Sequence, residues 1–376
     1  MRKALLQACA LSVGATGAYA GGLDRSGQGV NILFEEGSVV QLRLGYVNPD
    51  VSGEQNGVPS GNVTNDFFTP GLAYKHSFSE RVDFALIYDQ PFGADIEYPT
   101  DYPLSINPVP PAIGGRTGVL AATADVDAIT ALLRYKFDGG FSAIGGIRAQ
   151  RASANVTVPI VAGYEFDADA ETDFGYVVGV AWERPEIAAR VSLTYNSKIT
   201  HKFSSTESFN VANPPIPAAL ASFEDTTEVE TPQSVNLDFQ TGVAPKTLLF
   251  GSIRWVDWPQ TVLAPEQYVG IVGDNLVDYE DETFTYTLGL GYQFSEEFSG
   301  AVSVGYERDT GSIVSNLGPT NGFWSLGVGG TYSIENAQIS GGVRYTDVGD
   351  ATTTTGGEFS GNSAWSVGFQ ITYSLG

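Results

Sequence analysis

From about Ser38 to Leu375 the chain alternates large apolar residues with small or polar ones. A period of two belongs to strands whose two faces meet different surroundings. Near the C-terminus Trp365, Val367, Phe369, Ile371, Tyr373 and Leu375 alternate with Ser366, Gly368, Gln370, Thr372 and Ser374. Phe284, Tyr286, Leu288, Leu290, Tyr292 and Phe294 do so with threonine, glycine and glutamine, and Phe174, Tyr176, Val178, Val180 and Trp182 repeat the rule. Fourteen segments follow it, at about 38–48, 66–78, 81–92, 125–138, 140–156, 173–184, 187–203, 232–243, 246–257, 283–295, 298–309, 322–333, 337–347 and 362–375. Most are longer than the roughly five or six residues of a globular strand. A tilted strand crosses hydrocarbon with about nine to eleven residues.

The connections alternate as well. Short turns fall at Ser79-Glu80, Asp138-Gly139-Gly140, Arg184-Pro185-Glu186, Ala244-Pro245-Lys246, Ser295-Glu296-Glu297 and Ile334-Glu335-Asn336. Between them lie longer loops at about 49–65, 93–124, 157–172, 204–231, 258–282, 310–321 and 348–361. An up-and-down transmembrane barrel has short periplasmic turns, long outer loops and an even strand number. The pattern therefore predicts an all-β, 14-stranded antiparallel barrel with both ends periplasmic. A soluble sandwich or propeller is the alternative, and it gives no reason for loops that alternate in length. In hydrocarbon an unpaired backbone group is costly, so the barrel must close and its large apolar residues face lipid. The aromatics are then lipid contacts and interface girdles.

The N-terminus changes the picture at one end. Arg2 and Lys3, the apolar run from Ala4 to Ala18 and the Ala18-Tyr19-Ala20 site read as a secretory leader over 1–20. Its removal takes away Cys9, the single cysteine, and with it any disulfide or thiol chemistry. Residues 21–37 become a short N-terminal luminal plug, and 38–376 the barrel. No later stretch is long and apolar enough for a transmembrane helix. Removing Arg2 and Lys3 leaves 17 of the 19 basic residues against 43 acidic ones, which argues against nucleic-acid binding.

With the apolar set outward, the other parity faces the lumen. Arg43, Lys75, Arg134, Lys136, Arg148, Arg190, Lys198, Arg254 and Arg344 then point inward, with fewer acids (Asp83, Asp89, Glu183, Asp238 and Glu307). Two readings stay open: an ion-pair network that stiffens the wall, or binding of an anionic head group by Arg43, Arg134, Arg148, Arg190 or Arg254. The acidic surplus lies in the outer loops, including Asp167-x-Asp169-x-Glu171, which reads as a solvated rim or a cation site. No metal or cofactor is expected. Two outer loops are unusually apolar. One holds Ile96, Tyr98, Leu104 and Ile106, and the other Phe209, Ile216, Leu220 and Phe223. Such loops pack over the mouth, or also collect an apolar ligand.

With this strand count and loop pattern the chain resembles the FadL family of outer-membrane transporters for long-chain fatty acids and other hydrophobic compounds. The local carriers are Ser26-Gly27-Gln28-Gly29, Tyr88-Asp89-Gln90-Pro91-Phe92-Gly93, Thr231-Pro232-Gln233-Ser234-Val235 and Arg254-Trp255-Val256-Asp257-Trp258. The resemblance implies capture by the apolar loops, an N-terminal hatch, and lateral exit beside a kinked third strand. Pro91, Phe92 and Gly93 are the candidates for that gap. It also implies a monomer in contact with outer-membrane lipid and lipopolysaccharide. Where the family has Asn-Pro-Ala in its hatch, this chain has Asn31-Ile32-Leu33-Phe34, and its last residue is Gly376 rather than an aromatic.

Enzymatic chemistry finds little support. His76 and His201 are the only histidines, and no serine stands in a G-x-S-x-G elbow. There is no P-loop for ATP. A general or anion-preferring diffusion porin and a structural or adhesin barrel remain the alternatives to a passive transporter.

Overall fold

The computed structural model describes residues 23–108, 118–209 and 222–375. The leader expected over 1–20 and the whole Ile216–Leu220 stretch fall outside these residues.

Fourteen wall positions form one closed antiparallel barrel. In chain order they are β1 (Val39–Asp50), β2 (Phe67–Ser77), β3 (Val82–Glu97), β4 (Ala121–Lys136), β5 (Phe141–Val158), β6 (Tyr164–Arg184) and β7 (Ala189–Asn196). The series continues with β8 (Ser234–Ala244), β9 (Thr247–Val256), β10 (Thr283–Gln293), β11 (Phe298–Glu307), β12 (Phe323–Ile334), β13 (Ala337–Val348) and β14 (Asn362–Ser374). β1 pairs with β14 along its whole length, which closes the ring and leaves no free edge there. Among the described residues no helix is long and apolar enough to cross a membrane.

The wall is inside-out relative to a soluble protein. Leu288 is 49% exposed and Val328 55%, while the intervening polar residues are buried, Ser325 to 1% and Gln370 to 3%. A continuous apolar exterior of this size is stable only against hydrocarbon. Aromatics gather at both rims. Phe78, Phe137, Phe141, Phe294 and Phe298 ring the short-turn end, and all are exposed. At the other end the polar tips find partners: Trp324 Nε1 donates to Asp347 (2.7 Å), Trp255 Nε1 to Glu282 (2.7 Å) and Tyr46 Oη to Asp66 (2.7 Å). An aromatic with one apolar end and one wet end fits a membrane interface.

Several predicted boundaries need correction. The segment expected at 187–203 is two strands: β7 stops at Asn196, and a second piece, Ile199–Phe209, continues above it. That piece pairs with Ser222–Thr231, so much of the loop expected at 204–231 is a β-ribbon. The ribbon alternates too, but its outer face is polar, with Lys198 and Lys202 paired to Glu230 and Glu228. Lys198 therefore points outward, against its expected luminal place: the break after Asn196 resets the parity. β3 to β6 also extend well into the predicted 93–124 and 157–172 loops. One flank of the barrel thus stands taller than the other.

Two apolar clusters fill the interior at different heights. Under the outer loops, Phe92, Ile96, Tyr98, Tyr102, Tyr164, Phe166, Trp258 and Phe359 belong to one large cluster. Near the short-turn end Val30, Ile32 and Leu33 pack on Ala73, Ala85, Leu132, Ile144 and Val177. Between the two lies a charged chamber.

Candidate functional site

The N-terminal segment lies inside the barrel, held by luminal side chains. A 3-10 turn at Asn31–Phe34 buries Ile32 and Leu33. The Phe34 ring sits between two guanidiniums, Arg134 and Arg190, each 4.5 Å from its centroid. Arg134 also donates to the Leu33 carbonyl (3.1 Å) and pairs with Glu183, while Arg190 reaches Asn31 Oδ1 at 3.4 Å. Lys75 Nζ donates to the carbonyls of Glu35 (2.8 Å) and Gly37 (2.9 Å).

The other end of the segment is fastened by Arg254. Its Nε and one terminal nitrogen reach the two oxygens of Asp24 at 2.5 and 3.1 Å. It also donates to the Gly27 carbonyl and to Gln28, Ser234 and Asn236. A planar five-donor fork matches this set of acceptors as a lysine could not. Thus three of the five expected head-group residues (Arg134, Arg190 and Arg254) touch the N-terminal segment. The remaining two lie on the wall: Arg43 donates to Gln41 Oε1 (3.2 Å) and Arg148 to Thr130 Oγ1 (2.8 Å).

β3 departs from ideal pairing where the Pro91 motif falls. Its register with β4 runs Asp89↔Ala128 and then Phe92↔Val126, so one extra residue is inserted at Gln90–Pro91. A bulge bends its strand and sharpens the local twist. On the other side the pairing with β2 ends at Leu72↔Tyr88. Beyond it, Phe67–Gly71 of β2 pair with β1 alone. Pro70 lies in this one-sided stretch, a place that tolerates a residue without an N–H. β3 turns instead to the N-terminal segment. The Pro91 carbonyl accepts from Arg25 N (2.8 Å), and Gly93 N donates to the Leu23 carbonyl (2.9 Å). A Cβ on Gly93 would stand 2.4 Å from the Arg25 guanidinium carbon, so glycine permits this close approach.

A cavity of about 280 Å³ sits between these parts. Its lining includes Thr69–Ala73 of β2 and Ile87–Gln90 of β3, the two margins of the unpaired stretch. It also includes Arg43, Arg190, Arg254 and Arg344 beside Asp24, Asp89, Asp238 and Glu307. The basic excess expected of the lumen is balanced here by acids, partly because Asp24 comes from the N-terminal segment. Pro91, Phe92 and Gly93 lie at the bend, beyond the last pair with β2 and outside the cavity lining, with Phe92 buried edge-on against Trp258 at 5.7 Å.

The expected capture residues divide. Ile96 is buried in the upper cluster and Leu104 packs against it. Tyr98 is buried too, and its hydroxyl donates to the Asn316 carbonyl at 2.6 Å. Burial pushes the Tyr98 phenol well above its ordinary value, which keeps it a donor. Ile106 is exposed. Phe209 and Phe223 meet edge-on at 6.4 Å, and Ile216 and Leu220 lie outside the described residues.

Three features escaped the sequence reading. Pro70 could have been noticed as a proline inside a strand pattern. The Asp24–Arg254 pair joins residues too distant in sequence for any local signal. Glu207, buried in the ribbon, accepts from Tyr164 Oη (2.8 Å) and from the backbone of Gln267 (2.9 Å) and Tyr268 (2.8 Å). It thereby caps the single-turn-plus helix α1 (Glu266–Val272) from another loop. Of the carboxylates at 165–171, Asp167 accepts from Asn155 at 2.7 Å, and no metal-holding cluster forms among the described residues.

No protein-family model matches the chain, and no curated protein sequence matches it. Solved structures do. A FadL homologue from Pseudomonas aeruginosa is similar with a TM-score of 0.72 at 14% identity, over 92% of both chains. The toluene transporter TbuX of Ralstonia pickettii gives 0.64 at 14% identity, over 91% of this chain and 90% of that one. The toluene transporter TodX of Pseudomonas putida gives 0.63 at 12% identity, over 94% and 96%. These likenesses establish a shared fold.

Proposed function

We propose that this chain is a passive transporter of a Gram-negative outer membrane, for long-chain fatty acids or similar hydrophobic small molecules. The observation that carries the reading is the chamber whose margins are the unpaired stretches of β2 and β3. A solute held there has a way out through the wall that crosses no backbone ladder. The apolar cluster beneath the outer loops supports entry from above, with Ile106 and the Phe209–Phe223 pair nearest to solvent. Residues 23–37 serve as the hatch that blocks the axial path, and the bend at Pro91–Gly93 keeps the side path open. The solved relatives in fold, described as toluene transporters and monoaromatic hydrocarbon channels, agree with an apolar solute. The chain acts as a monomer among lipid and lipopolysaccharide after loss of residues 1–20.

An enzymatic role is not part of this reading. His201 is buried between Gln150 and Asp173, and among the described residues no serine hydroxyl is hydrogen-bonded to it. The rival is a general diffusion porin, which needs an open axial lumen. Fatty-acid and toluene uptake by a deletion strain, with and without the gene, tests the proposal together with planar-bilayer conductance. Restored uptake with small, intermittent conductance is the expected result. Large steady conductance with unchanged uptake would establish the porin instead.

A further inference from the structure

One outer loop is built as a flap with a closed base. The chain leaves and returns at the pair Leu263↔Val277, where Leu263 N donates to the Val277 carbonyl (2.8 Å) and Leu276 N to the Leu263 carbonyl (2.9 Å). Leu263 and Leu276 are buried in the upper apolar cluster and anchor this base. The body between them, residues 264–276, stands largely outside. Glu266 and the run from Gly270 to Asp274 are exposed, Ile271 to 61%. Its one regular element is α1, which is too short to be stable by itself.

The body is held down at one point. Glu207 is 1% exposed, and its two carboxylate oxygens take three donors. Oε1 accepts from Gln267 N (2.9 Å), and Oε2 accepts from Tyr268 N (2.8 Å) and Tyr164 Oη (2.8 Å). Among the described residues these two backbone bonds are the hydrogen bonds of 264–276 to another loop. Rings back them up: Tyr268 lies 5.0 Å from Tyr164, and Tyr164 lies 5.4 Å from Phe209. Tyr164 begins β6, Glu207 and Phe209 belong to the ribbon, and Tyr268 is in α1. One carboxylate thus joins three outer loops. Tyr164 is fully buried in the upper apolar cluster, and Phe209 and Tyr268 pack against that cluster. Hydrogen bonds to a charged acceptor are stronger than neutral ones, so most of the hold on the body passes through Glu207.

We propose that residues 264–276 are a lid over the entry to the upper apolar cluster, and that Glu207 is its latch. This rests on the transporter reading above and adds a regulation of entry to it. Opening parts the two backbone donors from the carboxylate and turns the body about the Leu263–Val277 base, which keeps its own bonds. The rings of Tyr164 and Tyr268 then separate, and an arriving apolar solute replaces one apolar contact with another. Between passages the closed lid keeps these rings from water.

The test reads lid motion and transport separately, by amide hydrogen exchange on the purified full-length protein and by toluene uptake in a deletion strain at limiting toluene. Glu207→Gln should speed exchange of the Gln267 and Tyr268 amides about tenfold, the weight of one charge-assisted hydrogen bond. The Leu263 and Leu276 amides should exchange as in wild type. Initial uptake should rise severalfold. Tyr164→Phe keeps the ring and removes one donor, so it should raise both readouts by less, and it serves if the charge variant does not fold. Replacing 265–275 by Gly-Ser-Gly should raise uptake at least as far, and Glu207→Gln should add nothing in that background. A carboxylate with a structural role alone would act the same with or without the lid. Faster exchange with uptake unchanged or lowered would overturn the lid while leaving the transporter reading in place. So would an effect of Glu207→Gln that persists without the lid. If wild type itself takes up no toluene or fatty acid, both readings fall.

Discussion

Asp24 and Arg254 fasten one end of the N-terminal segment to the barrel wall. The carboxylate is partly buried and the guanidinium nearly fully so, with 20% and 9% side-chain exposure. Breaking such a pair from one side leaves an uncompensated charge, at about 3–5 kcal/mol for a fully buried case and less here. Asp24→Asn should therefore release the first residues of the hatch without unfolding the wall. The measurement is planar-bilayer conductance with far-UV circular dichroism: conductance should rise severalfold and the β-spectrum stay the same. An unchanged conductance would mean that Phe34, between Arg134 and Arg190, holds the hatch alone. Glu207 makes a parallel case outside the membrane. Glu207→Gln replaces an anionic oxygen at the start of α1 with an amide, at about 1–3 kcal/mol for the lost acceptor. Limited proteolysis should then cut within 258–282 faster than in wild type. Both residues were invisible to periodicity, because their partners lie 230 and about 60 positions away.

At the scale of elements, the third strand is where the regular ladder breaks on both sides. An inserted residue at Gln90–Pro91 bends β3 away from β2, and the N-terminal segment occupies the hydrogen bonds it would otherwise leave empty. Deleting Gln90 should restore even register with β4 and favour pairing with Phe67–Gly71. Uptake of the hydrophobic solute should then fall to background while the barrel still inserts. Retained uptake would place the exit elsewhere. The motif itself was legible in the sequence, because proline cannot take part fully in a ladder. Which side of the strand would lose its partner was not legible. That depends on β2, where Pro70 and the one-sided pairing with β1 lie. The split of the seventh strand after Asn196 was also hidden, since polar and apolar residues alternate on both sides of the break. Only the exchange of lipid for water outside reverses which parity is apolar.

For the whole molecule, the exposed apolar girdle is what requires a bilayer. Leu288→Arg places a charge on the outer face at mid-strand and should cost about 2–4 kcal/mol of folding free energy in lipid vesicles. Thr287→Arg, one residue along and luminal, should cost clearly less because the chamber is polar there. Equal losses would contradict the assignment of faces. The taller flank formed by β3 to β6 and the Ile199–Thr231 ribbon gives the apolar cluster its height above the charged chamber. Under the proposed function a solute entering from above would meet apolar walls first and charged ones second.

Strand number, the parity of the wall strands up to the break after Asn196, the sign of the loops and the closed barrel were determined by the sequence alone. The reason is physical: period two is local, and a hydrocarbon exterior demands the same answer from every strand. What each luminal arginine does was decided only by the tertiary structure. Parity can say that Arg134, Arg190, Arg254 and Arg344 point inward. It cannot say that three of them meet a segment from the other end of the chain, while Arg344 faces a row of serines and a glycine. Those partners come from register across the closed ring and from the path of the N-terminal segment through it, which no local pattern encodes.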